Sequence, residues 1–191
     1  MTLLLLGLVI FFGVHSVRIV AEGWRGRMLA RLGPGPWKMA VSLLSLAGLV
    51  LMAWGFGAAR MQPVVLWATP LWTRHLAALL TLPAFILLVA AYVPGNAIKA
   101  RLRHPMVLGV KTWALAHLIA NNTLADLLLF GGFLLWALLD FRAARQRDRA
   151  HGVTYAPGRP VPTLLTVALG LIAWGGFAFW AHARLIGVRP F

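Results

Sequence analysis

Six histidines and no cysteine set the range of chemistry this sequence can carry. Without cysteine there are no disulfides, no thiolate-ligated haem, no iron–sulfur cluster and no cysteine nucleophile. Three aspartates and one glutamate leave almost no material for paired-carboxylate catalysis. A phosphate-cradling glycine loop, a Ser-His-Asp order and a His-Glu-x-x-His zinc motif are all missing. What remains is imidazole, amide and guanidinium. These groups concentrate in the stretch from Arg103 to Asn122, which begins basic, breaks at Pro105 and then runs apolar with His117, Asn121 and Asn122 inside it. Imidazoles and amides at membrane depth are expensive and normally face the protein interior. His15, in the first apolar run, is the other deep imidazole.

The elements that must position these groups are membrane spans. The chain is 61% hydrophobic and 12% charged, about half the charge of an average soluble domain. Several apolar runs approach the roughly 20 residues needed to cross a bilayer. The expected fold is all-α, a polytopic transmembrane helix bundle of about six spans forming a single domain over residues 1–191. Span one covers roughly Thr2–Ala21 and reads as a retained span rather than a signal peptide, since no basic residue precedes it and no small-residue cleavage site follows. Phe11, His15, Arg18 and Glu22 share one face of it, and Glu22 is placed to pair with Arg18. Gly33-Pro34-Gly35-Pro36 gives a strong loop signal before span two, roughly Met39–Ala59. The small residues of span two, Gly48 and Gly55 among them, permit close helix contact. Span three is roughly Thr73–Val93, with Pro83 expected to kink it. Spans four and five, roughly Met106–Ala120 and Leu124–Phe141, are joined by the tight turn Asn121-Asn122-Thr123. Reading Thr112–Leu139 as one long helix would put two basic clusters on opposite sides, against the charge rule. A polar, basic connection over Arg142–Pro162 leads to span six, roughly Thr163–His182.

Six spans gather the rich basic segments on one face: Arg18 to Lys38, Lys99 to Lys111, and Arg142 to Arg159. The positive-inside rule makes that face cytoplasmic and leaves both termini on the outer (periplasmic) side. The net charge of +14 is therefore a topology signal. No basic stripe with interleaved aromatics points to nucleic acid, and the bilayer, including its anionic headgroups, is the expected partner.

Two histidines on different spans are a sensible way to hold a haem, because neutral imidazole is a common iron ligand and a low-dielectric interior shapes the redox potential. His15 and His117 are the preferred pair, as metal ligands of haem b. Arg18, Arg101 and Arg103 are candidates for its propionates. Counted along the helices, His117 lies about 18 Å from Pro105 and His15 about 10 Å from Glu22. Helix tilt, or a fourth span that begins at Lys111, reconciles the two depths. The alternative is that each imidazole bonds a nearby helix carbonyl. Asn121 shares the face of His117 and fits either an interior network or a helix C-cap. Asp126 is placed to pair with Arg74 or with the asparagine turn. In Arg103-His104-Pro105, basic residues anchor the interface and the proline starts a helix. His104, or His75 with His182 near the outer face, offers other ligand choices.

Three places in the chain resemble the NnrU family of small polytopic membrane proteins. They are Phe12-Gly13-Val14-His15-Ser16, then Arg103-His104-Pro105 through Gly109, Trp113-Ala114-Leu115-Ala116-His117-Leu118 and Asn121, and finally His182 with Gly187-Val188-Arg189-Pro190. The resemblance implies one of two roles. Bacterial members are associated with denitrification, in particular nitrite and nitric oxide reduction. Plant and cyanobacterial relatives look like 15-cis-zeta-carotene isomerases, which bind haem b through histidines at positions matching His15 and His117. Ala114 stands where plant relatives can place a cysteine, so a thiolate switch is closed to this chain. The resemblance thus implies redox or isomerase-type chemistry on a lipophilic small molecule, or support of nitrogen-oxide respiration. The Arg-His-Pro, glycine and tryptophan pattern is also similar to that of membrane methyltransferases, where the triplet helps bind S-adenosylmethionine. Those enzymes carry further acidic signals downstream, where this chain reads Gln146-Arg147-Asp148-Arg149-Ala150-His151-Gly152, with no glutamate. A non-catalytic membrane assembly factor is the remaining alternative.

Overall fold

Among residues 1–190, which the computed structural model describes, the backbone is helical apart from short connections and two isolated bridges. In chain order the helices are α1 (Thr2–Val20), α2 (Glu22–Leu32), α3 (Pro34–Ala59), α4 (Trp72–Tyr92), α5 (Ala97–Leu102), α6 (Pro105–Ala120), α7 (Leu124–Ala150), α8 (Pro160–Gly176) and α9 (His182–Ile186). A wider, π-type turn over Phe177–Ala181 joins α8 to α9. Among the described residues, five helical stretches are long and apolar enough to cross a membrane: α1, α3, α4, α7 and the α8–α9 run. The sixth apolar helix, α6, has 16 residues, a length of about 24 Å against a hydrocarbon core of about 30 Å. The chain is a multi-pass membrane protein in its helix lengths and composition.

Three boundaries differ from those expected. The first is at Gly33, where a φ of 79° breaks the chain and α3 begins at once with Pro34. Prolines are tolerated in a first helical turn because its N–H groups need no intrahelical partner. The expected loop through Pro36 is thus already helix. The second is α7, which runs nine residues past Phe141 to Ala150. Alanine, arginine and glutamine are good helix formers, and no glycine or proline intervenes before Gly152. Much of the expected 142–162 connection is therefore the charged end of a helix. The third is the last run, which starts at Pro160. The break at Asn121–Thr123 is as expected and excludes a single helix across it. Pro83 lies inside α4, which continues to Tyr92.

The chain forms two compact units. One comprises Met1–Leu66 with Thr123–Gly132, and the other Trp67–Asn122 with the residues from Phe133 onward. In the first, α1 packs along α3 through glycine. A Cβ on Gly48 would sit 3.0 Å from the Phe11 nitrogen, and one on Gly55 would collide with the backbone of Leu3 and Leu4. Such close approach maximises dispersion contact where no hydrophobic drive exists. Leu124 N donates to Val64 O at 2.9 Å, tying the start of α7 to the connection after α3.

In the second unit α4 packs against both α6 and α8. Gly109 faces the Ala84 carbonyl and Gly170 faces Ile86. Trp174 Nε1 donates to Thr81 Oγ1 at 3.1 Å. One end of this unit gathers four helix termini. Asn96 is buried and caps α5 through Lys99 N, Ala97 N donates to Thr163 Oγ1, and Arg159 N donates to Gly95 O. The α4 end, the α8 start, and, through His104, the α6 start and α7 end meet there.

Candidate functional site

His15 and His117 sit in matching local arrangements on different helices. In α1 the His15 Nδ1 lies 2.8 Å from Phe11 O, and its ring stacks on Phe11 at 4.0 Å between centroids. In α6 the His117 Nδ1 lies 2.9 Å from Trp113 O, with the Trp113 ring at 5.0 Å. Each histidine is thus held by the carbonyl and the aromatic ring one turn before it. A carbonyl only accepts, so a neutral imidazole carries its proton on Nδ1 and its lone pair on Nε2. That is the tautomer of a metal-binding histidine whose outer nitrogen is anchored to backbone. His151 makes the same bond to Arg147 O on an exposed, polar turn. The bond therefore sets orientation, while His15 and His117, unlike His151, stand half-buried on apolar helices.

Asn121 takes the C-cap role. Its backbone N and its Nδ2 both reach His117 O, at 3.0 and 2.8 Å. Both bonds fix the last turn of α6, which carries His117. Asp126 belongs to the asparagine turn. Its Oδ2 accepts from Thr123 N and Oγ1, while Asp126 N donates back to Thr123 Oγ1. This is a reciprocal cap on the start of α7.

Arg18 and Arg103 have local partners. Arg18 lies 3.7 Å from Glu22, which also binds the half-buried Arg25 at 3.0 Å; Arg18 and Glu22 are exposed. The Arg103 guanidinium lies over the Tyr155 ring at 5.7 Å. Arg101 is exposed. His182 Nδ1 bonds Val188 O at 2.7 Å near the chain end, and His75 is exposed.

His104 forms a cluster that sequence alone did not bring together. It stands at the N-cap of α6, ahead of Pro105 in the first turn. Its Nε2 lies 2.9 Å from Asp148 Oδ2, and the Tyr155 hydroxyl donates to the same oxygen at 3.1 Å. Phe141 and Tyr155 approach the imidazole edge-on, at 6.2 and 6.4 Å. Asp148 is 8% exposed. Burial raises the Tyr155 pKa above its ordinary value, and the Asp148 hydrogen bond and charge add to it, against a lowering by Arg103 and Arg145. The His104–Asp148 contact closes a separation of 44 residues. The one signal in the sequence was an acid placed among arginines, at Asp148. The histidine of the Arg-His-Pro triplet is thus engaged in joining α6 to α7.

Among the described residues no group of three or more histidine, aspartate or glutamate side chains could hold a bare metal ion. A haem asks for less, one or two imidazole nitrogens. His15 on α1 and His117 on α6 each carry an imidazole of the tautomer such a group would use.

Comparison with curated proteins found no match, and comparison with solved structures found none. The family model described as NnrU protein matches residues 3–190. With helix composition and nearly its whole length in agreement, the chain belongs to the NnrU family.

Proposed function

We propose that this protein is a bacterial inner-membrane haem protein, in which His15 and His117 would hold haem b. The observation that carries the proposal is the paired arrangement of aromatic, backbone carbonyl and imidazole on α1 and α6. Each Nδ1–H is occupied by a carbonyl, and each ring is backed by an aromatic side chain. Asn121 steadies the turn that carries His117. Arg18 and Arg103 are the cations assigned to the propionates, a pairing in which guanidinium binds carboxylate bidentately. Haem b, when bound, supplies one-electron redox chemistry or a Lewis-acidic iron. The protein's own part is to orient the imidazoles, hold their tautomer and keep water out. The proposed role is redox or isomerase-type chemistry on a lipophilic molecule, or support of nitrite and nitric oxide reduction.

The proposed topology has six spans, with α6 as the short one, and both termini outside. Support comes from the end of the second unit where α4, α6, α7 and α8 termini meet. Lys99, Arg101, Arg103, Arg147 and Arg159 lie in the segments that meet there, and such a concentration of cations marks the cytoplasmic side.

The test is a reduced-minus-oxidised spectrum of protein purified in detergent from haem-replete cells. A b-type signal that weakens or changes spin state in His117→Ala is the expected result. A well-folded preparation with no haem signal would sink the cofactor assignment, and tolerance of both histidine changes would leave an assembly role.

A further inference from the structure

We propose that the hollow beside the end of α7 binds the phosphodiester headgroup of an acidic phospholipid from the surrounding leaflet. The hollow measures about 520 Å³ and is lined by Phe141, Arg142, Arg145, Gln146 and Arg149. The three arginines follow positions i, i+3 and i+7, so they form one stripe on the helix, about 10 Å long. None has a carboxylate within ion-pair distance among the described residues. The acids nearby are engaged elsewhere: Asp140 lies 3.7 Å from Arg147, and Asp148 is held by His104 and Tyr155. The charge of the stripe is therefore left for an external anion.

The floor of the hollow explains why that anion should belong to a lipid. Phe141 carries Arg145 at 5.9 Å from its ring centre and Lys111 at 5.6 Å. An apolar ring flanked by cations suits the boundary between acyl chain and headgroup. Depth agrees. From Leu124 to Phe141 the helix is apolar except for Asp126 and Asp140, a length of about 27 Å, close to the thickness of the hydrocarbon core. Arg142 then enters the headgroup layer. Arginine's planar fork matches phosphate oxygens bidentately, which a diffuse surface charge does not. This site is independent of the haem assignment.

Native mass spectrometry of the purified full chain tests the proposal, using phosphatidylglycerol and phosphatidylcholine of matched chains. The wild type should retain phosphatidylglycerol about tenfold or more in preference, on the scale of juxtamembrane cations acting together. R142Q/R145Q/R149Q should lose that preference. R27Q/R31Q/K38Q, which removes three exposed cations from α2 and the start of α3, should keep it. R142K/R145K/R149K, which keeps the charge and loses the fork, should bind more weakly than wild type. Equal loss in the two glutamine variants, or no lipid preference in the wild type, would overturn the proposal. Displacement of the lipid by millimolar inorganic phosphate would assign the hollow to a free anion and equally overturn the lipid assignment.

Discussion

Arg103 holds a backbone φ of 68° without being glycine, a conformation that costs about 1–3 kcal/mol and survives only when its surroundings over-determine it. The surroundings here are the His104–Asp148 contact, the Tyr155 hydroxyl on the same carboxylate, and the Arg103 guanidinium over the Tyr155 ring. Asp148 is the hub. Replacing it with alanine leaves two buried or half-buried donors without their acceptor, which should destabilise the protein by about 1–3 kcal/mol. A lower melting temperature in detergent, with faster proteolysis of the 151–159 connection, is the expected outcome. The phenol adds a pH dependence. Its folded pKa lies above the ordinary 10.0, so the folded state holds the proton more tightly than the unfolded one. The stabilisation is whole below pH 10.0 and is lost as pH rises through the folded value. Tyr155→Phe should flatten the alkaline fall of the melting temperature. An identical alkaline limb in that variant would contradict the assignment.

At the scale of the helix, the glycines of α3 differ sharply in what they permit. Gly55 lies against the α1 backbone, whereas a Cβ on Gly57 meets nothing within 4 Å. Gly55→Leu should separate α1 from α3, costing about 1–3 kcal/mol or more, while Gly57→Leu should be tolerated. Thermal stability and monodispersity of the two purified variants check this. The small residues of span two, and the close helix contact they permit, were legible in sequence, because tight membrane packing leaves that composition; that α1 is the partner, and that Gly57 takes no part, was not. The Asn121–Thr123 break was legible for a related reason: three polar, hydrogen-bonding side chains interrupt an apolar run. The continuation of α7 was not. Its last turns are charged, and charge reads as connection until one asks which residue would stop a helix. Nor was the His104–Asp148–Tyr155 cluster legible. No local pattern links α6 to a carboxylate 44 residues away, and the pairing exists only once both helix ends have met.

For the whole molecule, the proposed topology gives a clean labelling experiment, since the chain has no cysteine of its own. Gln62 lies in the connection between α3 and α4, and His151 follows α7. Single cysteines at these two sites should behave oppositely toward a membrane-impermeant maleimide. Gln62→Cys should label in intact spheroplasts, and His151→Cys only after permeabilisation. The reverse pattern would invert the topology. The fold class itself was carried by composition, because apolar runs of spanning length admit few alternatives. The resemblance to the isomerases implies two histidines at these places, and the local geometry at His15 and His117 gives each the tautomer that a ligand needs.

The central claim is haem ligation by those two imidazoles, and the most direct measurement is the haem content and low-temperature electron paramagnetic resonance of matched histidine variants. Wild type should carry stoichiometric low-spin haem b. His15→Ala and His117→Ala should each lose haem or turn it high-spin, while His104→Ala and His151→Ala keep the wild-type signal. Low-spin haem retained in both His15→Ala and His117→Ala, or lost only in His104→Ala, would contradict the account.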